Sequence, residues 1–287
     1  MIDEQLLYVT TLITTEWNGK TYSGSGFFYQ QAVPAMTESS LGNYWLVTNR
    51  HVIYANVEAE KKKYIVDKLT FRVRVDDKVI NKSKWVEVSL SRDELFKNAK
   101  VLPDYGIDVA IIDVCANVEA ILNKLSNIHV TICPITEEKL AAKSNLPIEV
   151  CDDIMVIGYP RGYYDETNLY PIVKNGTIAS MWGADFRGAK GFAIDAKLFP
   201  GSSGSLVITK PHREDLKDGK YLEFKKEKLY YCLGVYSGEP LFRRVAMDVD
   251  GKPSVVQYTF DLGLAWYYSL ITDTIKNGGT PKDEYTY

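Results

Sequence analysis

The chain has 287 residues, with 46% apolar and 25% charged side chains and a formal net charge of −3. That composition excludes a disordered chain, and the length allows one large domain or two of ordinary size. No basic stretch stands out against the acidic ones, so nucleic acid is not an expected partner, and no apolar run approaches the roughly 20 residues that span a bilayer.

The first residues, MIDEQLLYVTTLITTEW, lack a basic region followed by an apolar core, so no signal peptide is expected. A first set of strands is predicted at Leu6 to Ile13, Gly26 to Tyr29, Tyr44 to Val47, Leu69 to Val75, Trp85 to Leu90 and Val109 to Val114. Leu69, Phe71, Val73 and Val75 alternate with polar residues, as in a half-buried strand. Ser91-Arg92-Asp93-Glu94 is a capping-box pattern opening a short helix. Asn117 can cap a helical segment with Val118, Ile121, Leu122 and Leu125 on one face, and Thr136 to Asn145 reads as another short helix. A second set of strands follows at Ile154 to Tyr159, Ile172 to Ser180, Phe192 to Leu198, Ser205 to Thr209, Leu229 to Tyr236 and Val255 to Leu262. The polar segment His212 to Lys228 reads as a loop or hairpin. Tyr267, Leu270, Ile271 and Ile275 recur at helical spacing before Gly278-Gly279. Two groups of about six strands point to two all-β units within a single domain over 1–287: a barrel over 1–115, a linker over 116–147, and a second barrel with a terminal helix over 148–287.

Cys115, Cys133, Cys151 and Cys232 are widely spaced, with no CxxC pair to suggest zinc, so neither metal nor cofactor is expected. They read as four buried free thiols of a reducing compartment, which points to the cytoplasm.

There are three histidines. His51 follows an apolar strand end in LVTNRHVI, His129 lies inside a predicted strand, and His212 lies in the charged insertion. Alone, a histidine beside apolar residues is ordinarily structural. Asp108 opens GIDVAIIDV, with Asp104 and Asp113 as neighbouring competitors. In FPGSSGSLV, Gly201 and Gly204 flank Ser202-Ser203, and glycine lets the backbone turn sharply and aim N–H groups at a ligand. A Gly/Ser turn is the plain reading of that stretch by itself. The nucleophile elbow G-x-S-x-G fails here, because Ser205 stands where glycine is required and the histidine order is wrong.

Taken together, LVTNRHVI, DVAIIDV and DAKLFPGSSGSLV resemble the histidine, aspartate and serine motifs of the chymotrypsin-like serine peptidases, most closely the HtrA-type protease domain. GSGFFY, VIGYP, KNGTIAS, CLGVYSG and LGLAWYYSLI match further landmarks in order, so the resemblance covers nearly the whole chain. It implies an all-β fold of two six-stranded antiparallel barrels with a C-terminal helix, and a serine endopeptidase acting on protein or peptide substrates. Ser203 would be the nucleophile, His51 the proton carrier and Asp108 its orienting partner. The N–H groups of Gly201 and Ser203 would form the oxyanion hole. Ser237 matches a family serine near the aspartate, and Ser237, Gly238 and Glu239 would pair with an extended substrate. Lys197, six residues before Ser203, aligns with a position that can line the specificity pocket and would favour acidic or polar side chains; a lysine pointing to solvent is the plain alternative. No PDZ module is expected after Ile275. Ser202 offers no charge to a newly cut N-terminal amine, so activation by maturation is not expected, and control falls to a partner or substrate that orders 199–203. A protease-fold scaffold with a silent triad, or an esterase-like hydrolase, are the rival readings.

Overall fold

The computed structural model describes residues 2–31, 43–77, 82–124, 128–130, 132–217, 220–240, 242–247, 252–258 and 261–286. In the first half, the strands are β1 (Thr10–Trp17), β2 (Lys20–Gln31), β3 (Asn43–Thr48), β4 (Tyr54–Val57), β5 (Lys62–Ile65), β6 (Lys68–Asp77), β7 (Lys82–Ser91), β8 (Ala99–Val101), β9 (Ala110–Asp113), β10 (Ile128–Val130) and β11 (Ile135–Thr136). Nine of them form one sheet, ordered β10-β6-β1-β2-β3-β9-β8, with β7 on β6 and β11 on β2. This sheet is larger than the six strands expected, and β11 joins β2 in parallel. Residues 128–130 and 135–136, read from sequence as linker, therefore extend the first sheet. On β6 the expected alternation holds: Leu69, Phe71, Val73 and Val75 are fully buried.

The second half holds β12 (Asp153–Gly158), β13 (Ile172–Ile178), β14 (Gly191–Asp195), β15 (Leu206–Thr209), β16 (His212–Lys217), β17 (Tyr221–Leu229), β18 (Cys232–Gly238), β19 (Phe242–Met247), β20 (Pro253–Tyr258), β21 (Leu262–Tyr267) and β22 (Glu284–Thr286). A closed six-stranded barrel runs β12-β13-β14-β21-β18-β15. The polar insertion is the hairpin β16–β17. The sixth barrel strand is β21, not the run from Val255: among the described residues the part of that run in β20 pairs with β19 alone, outside the barrel. Together the two halves form the chymotrypsin-like all-β arrangement.

Helices are few. The helix α1 (Ile2–Tyr8) occupies residues expected to begin the first strand, which starts at Thr10 instead. The helix α2 (Arg92–Asn98) opens with the full capping box: Ser91 Oγ accepts from the Glu94 N–H, and the Glu94 carboxylate accepts from the Ser91 N–H. The helix α3 (Cys115–Lys124) starts before Asn117, with the Asp113 carboxylate accepting from the Cys115 N–H. Residues 136–145 form two single 3-10 turns rather than a helix. The helix α4 (Ser269–Asn277) sits where its apolar spacing placed it. Of the cysteines, only Cys232, on β18, is buried; Cys151, in the turn before β12, is exposed, and Cys115, at the start of α3, and Cys133, between β10 and β11, are half-buried. No described helix is long and apolar enough to cross a membrane.

One buried cluster joins the halves. Phe27, Val47 and Ile111 of the first sheet pack with Ile157, Leu206 and Val235 of the barrel, and Ile271 and Ile275 of α4 close it. The site lies along this seam.

Candidate active site

His51 sits on a single 3-10 turn, Arg50–Val52, at the end of β3. The segment preceding β9 carries Asp108. Two bonds tie His51 to Asp108, and a third ties its neighbour Asn49 to the same residue. The His51 N–H donates to Asp108 Oδ1 at 2.8 Å, Nδ1 meets Asp108 Oδ2 at 2.7 Å, and Asn49 Nδ2 donates to the Asp108 carbonyl at 2.8 Å. With a carboxylate on Nδ1, that nitrogen carries the proton and Nε2 is left as the acceptor. Burial works against the charged imidazole, but the Asp108 carboxylate outweighs it by charge and hydrogen bond, against a smaller opposing push from Lys63; the His51 pKa lies above its ordinary 6.5. Burial likewise raises the Asp108 carboxyl, yet His51 and the donated hydrogen bonds bring it net below its ordinary 3.8. The competing aspartates are engaged in their own turns: Asp104 accepts from the Gly106 N–H and Asp113 from the Cys115 N–H.

Three serines sit in the turn before β15. Ser202 and Ser205 are buried, at 2% and 1% exposure, and Ser205 Oγ packs against Gly158, where a Cβ would collide with it. Ser203 alone lines the cleft of about 430 Å³ that also contains His51, Gly201 and Lys63. Its Oγ donates to the Ser237 carbonyl at 2.9 Å. Ser237 in turn donates through its Oγ to Asp108 Oδ2 at 2.6 Å, so it touches both the nucleophile position and the carboxylate.

The turn depends on two glycines in the left-handed region. At Gly204 (φ +85°) a Cβ would lie 2.0 Å from the Ser25 carbonyl oxygen, and at Gly201 (φ +89°) 2.6 Å from the Arg161 nitrogen. The Arg161 N–H donates to the Pro200 carbonyl at 2.6 Å. In a trans peptide the Gly201 N–H points the opposite way from that carbonyl. Neither the Gly201 nor the Ser203 N–H donates to a described residue.

Lys197 needs correction. The backbone alternation after Gly191 turns Ala196 and Leu198 inward and leaves Lys197 exposed, and its carbonyl accepts from Lys174 Nζ. The pocket beside Ser203, about 160 Å³, is lined by Leu198, Phe199, Pro200, Tyr236, Gly238 and Glu239, without Lys197. His129 lies on β10 opposite Asp76, and His212 Nδ1 contacts the Lys210 carbonyl away from this cleft. Among the described residues no group of three or more His, Cys, Asp or Glu gathers around a metal position.

Ser25 was not singled out by the sequence, although GSGFFY contains it. It is fully buried, its N–H donates to the Ser203 carbonyl at 2.8 Å, its Oγ donates to the Gly201 carbonyl at 2.9 Å, and the Tyr159 N–H donates to that Oγ. One residue of the first sheet thus holds the serine turn of the second half.

A family model described as "Trypsin-like peptidase domain" matches residues 24–213. The chain belongs to that family. The matched span contains His51, Asp108 and Ser203. Similar solved structures include the active form of the Rv3671c protease from M. tuberculosis, at 15% identity and TM-score 0.45, covering 98% of this chain and 85% of that one. The HtrA-type protease AlgW with tripeptide is 14% identical at TM-score 0.46, covering 96% and 62%. Tobacco etch virus protease complexed with product is 11% identical at TM-score 0.46, covering 96% and 81%. No curated protein matches the sequence significantly.

Proposed function

We propose that this peptidase is a serine endopeptidase that works through an acyl-enzyme. The observation that supports this best is the Asp108 carboxylate holding both the ring and the backbone of His51 at the rim of a cleft that only Ser203, of the three serines, enters. In the proposed reaction Ser203 Oγ exchanges its bond to the Ser237 carbonyl for one to His51 Nε2; catalytic hydrogen bonds in a free enzyme often tighten only with substrate. Oγ then bonds to the scissile carbonyl carbon as His51 takes its proton. The developing oxyanion is met by the N–H groups of Gly201 and Ser203. His51 delivers the proton to the leaving amine as the C–N bond breaks. Water, deprotonated by His51, then cleaves the ester and restores Ser203.

The pocket beside Ser203 takes the side chain preceding the cut, with the backbone of 237–239 pairing with the substrate strand. Glu239 is the charged residue lining it, so an acidic side chain meets a carboxylate rather than Lys197.

The test uses a fluorophosphonate and a peptide library. Wild type is expected to be labelled on Ser203 and to cleave peptides, disfavouring acidic residues before the cut; Ser203→Ala should lose about 10⁴-fold or more in turnover. A protein that cleaves nothing and takes no label would instead be a protease-fold scaffold. Efficient cleavage after acidic residues would refute the role given to Glu239.

A further inference from the structure

The last described strand, β22, lies far from the serine turn in sequence and, among the described residues, pairs with β5 alone, forming the small sheet β22-β5-β4 beside His51. It is three residues long, and its approach is pinned at several points. Gly279 and Val101 exchange two backbone hydrogen bonds of 3.0 Å, and the Ile65 N–H donates to the Asp283 carbonyl. Tyr54, which lines the cleft with His51, donates through its hydroxyl to the Lys282 carbonyl at 2.6 Å.

The side chain of Tyr285 is the centre of this contact. Its ring packs edge-on against Tyr54, with centroids 4.9 Å apart, and tilted against Tyr105, with centroids 4.4 Å apart. On the register, Tyr285 stands opposite Lys63, whose Nζ lies 5.6 Å from its ring centre. Tyr105 in turn carries the guanidinium of Arg50, 4.9 Å from its ring centre.

Arg50 immediately precedes His51 and is 1% exposed. A guanidinium so placed ordinarily pairs with a carboxylate. This one donates instead to the carbonyls of Leu102 and Asp104, in the loop that leads to Asp108. It therefore joins the turn bearing His51 to the loop bearing Asp108. Tyr105, from that same loop, covers the guanidinium, and Tyr285 and Lys282 cover Tyr105. The contacts run without a gap from the strand to the pair.

We infer that β22 is a positioning element for the His51–Asp108 pair: through Tyr285, Tyr105 and Arg50 it sets the 102–108 loop against the His51 turn, and hydrolysis requires the strand to be seated. The inference rests on the functional reading above, since its readout is that reaction. Tyr285 is a positioning residue, and no contact with substrate is assigned to it. Its hydroxyl donates to no described residue, so the ring carries the effect.

The experiment compares Tyr285→Ala, Tyr285→Phe and Tyr105→Leu in the full chain, on folded material isolated by gel filtration. Expected for Tyr285→Ala are a kcat at least tenfold lower, a KM within about twofold, slower fluorophosphonate labelling, and an acidic limb of kcat/KM moved to lower pH as Asp108 loosens from the imidazole. Tyr285→Phe should restore all four. Tyr105→Leu, at a residue 36% exposed, should repeat the alanine result with little effect on folding. Wild-type kcat and pH profile in folded Tyr285→Ala overturn the inference; should that variant not fold, the same outcome in Tyr105→Leu overturns it. Failure of the serine reading is separate, because it shows as labelling or turnover that survives Ser203→Ala.

Discussion

At the scale of the residue, His51 and Asp108 make opposite demands on pH. On the proposed mechanism His51 is the base and must be neutral, so activity should rise as pH climbs through its pKa, which lies above 6.5. Stability runs the other way over that interval. A histidine whose folded pKa is raised stabilises fully below its unfolded value, and that contribution is lost as pH rises through the folded one. Asp108, whose folded pKa is lowered, contributes above its unfolded 3.8 and loses that contribution as pH falls. Both side chains are partly exposed, at 38% and 21%, so solvent moderates the effect. Asp108→Asn removes the carboxylate from both His51 contacts. Its acidic limb should move to lower pH, kcat should fall by about 10⁴-fold, and the melting temperature should no longer drop as pH rises from 6 to 8. Measuring kcat/KM and melting temperature across that range checks all three; an unmoved limb would show that Asp108 does not set the His51 pKa.

At the scale of the element, the turn from Phe199 to Ser205 stands on its glycines. Gly201→Ala puts a Cβ into the Arg161 backbone and an L-residue at φ +89°, a strain of about 1–3 kcal/mol. The turn should relieve it by rotating the Pro200–Gly201 peptide and losing one oxyanion donor. A drop of about 10²-fold in kcat is expected, with the melting temperature lower by only a few degrees, since the barrel strands are untouched. Wild-type kcat in this variant would remove Gly201 from the oxyanion hole. Elements of this local kind were legible in the sequence: the glycine turn, the Ser91 capping box and the alternation of β6 are all written within a few neighbouring residues. Elements defined by distant partners were not. Nothing local tells β20 from β21, yet β21 closes the barrel and, among the described residues, β20 pairs with β19 alone. Residues 128–130 and 135–136 look like parts of a connection until β6 and β2 are there to pair with them, and β22 has meaning only beside β5. The site divides in the same way. His51, Asp108 and Ser203 each sit in a short motif, whereas Ser25, Arg50 and Tyr285 act on partners brought near by folding, and Lys197 was misplaced because spacing from Ser203 does not say which way a side chain turns.

At the scale of the whole molecule, neither half owns the chemistry of the proposed mechanism. In that reading the first supplies His51 and Asp108, the second supplies Ser203 and Ser237, and the geometry between them is set at the seam. Apolar contact there resists separation but is not directional. Directional control comes from Ser25, which receives Tyr159 and holds the carbonyls of Gly201 and Ser203. Ser25→Ala keeps the backbone bond but leaves the Tyr159 N–H and the Gly201 carbonyl without their buried partner, at a cost of about 1–3 kcal/mol. Phe71→Ala is the useful comparison, because it opens a cavity deep in the first sheet, away from the seam, at about 3–5 kcal/mol. If the seam sets the site, the two variants separate stability from activity. Phe71→Ala should melt at the lower temperature yet, at 25 °C where it remains folded, keep kcat within about threefold of wild type. Ser25→Ala should melt higher than Phe71→Ala but lose at least tenfold in kcat and in the rate of Ser203 labelling, because the serine turn is free to shift relative to His51. Equal kcat in the two variants at 25 °C would mean that the halves are aligned by their apolar seam alone.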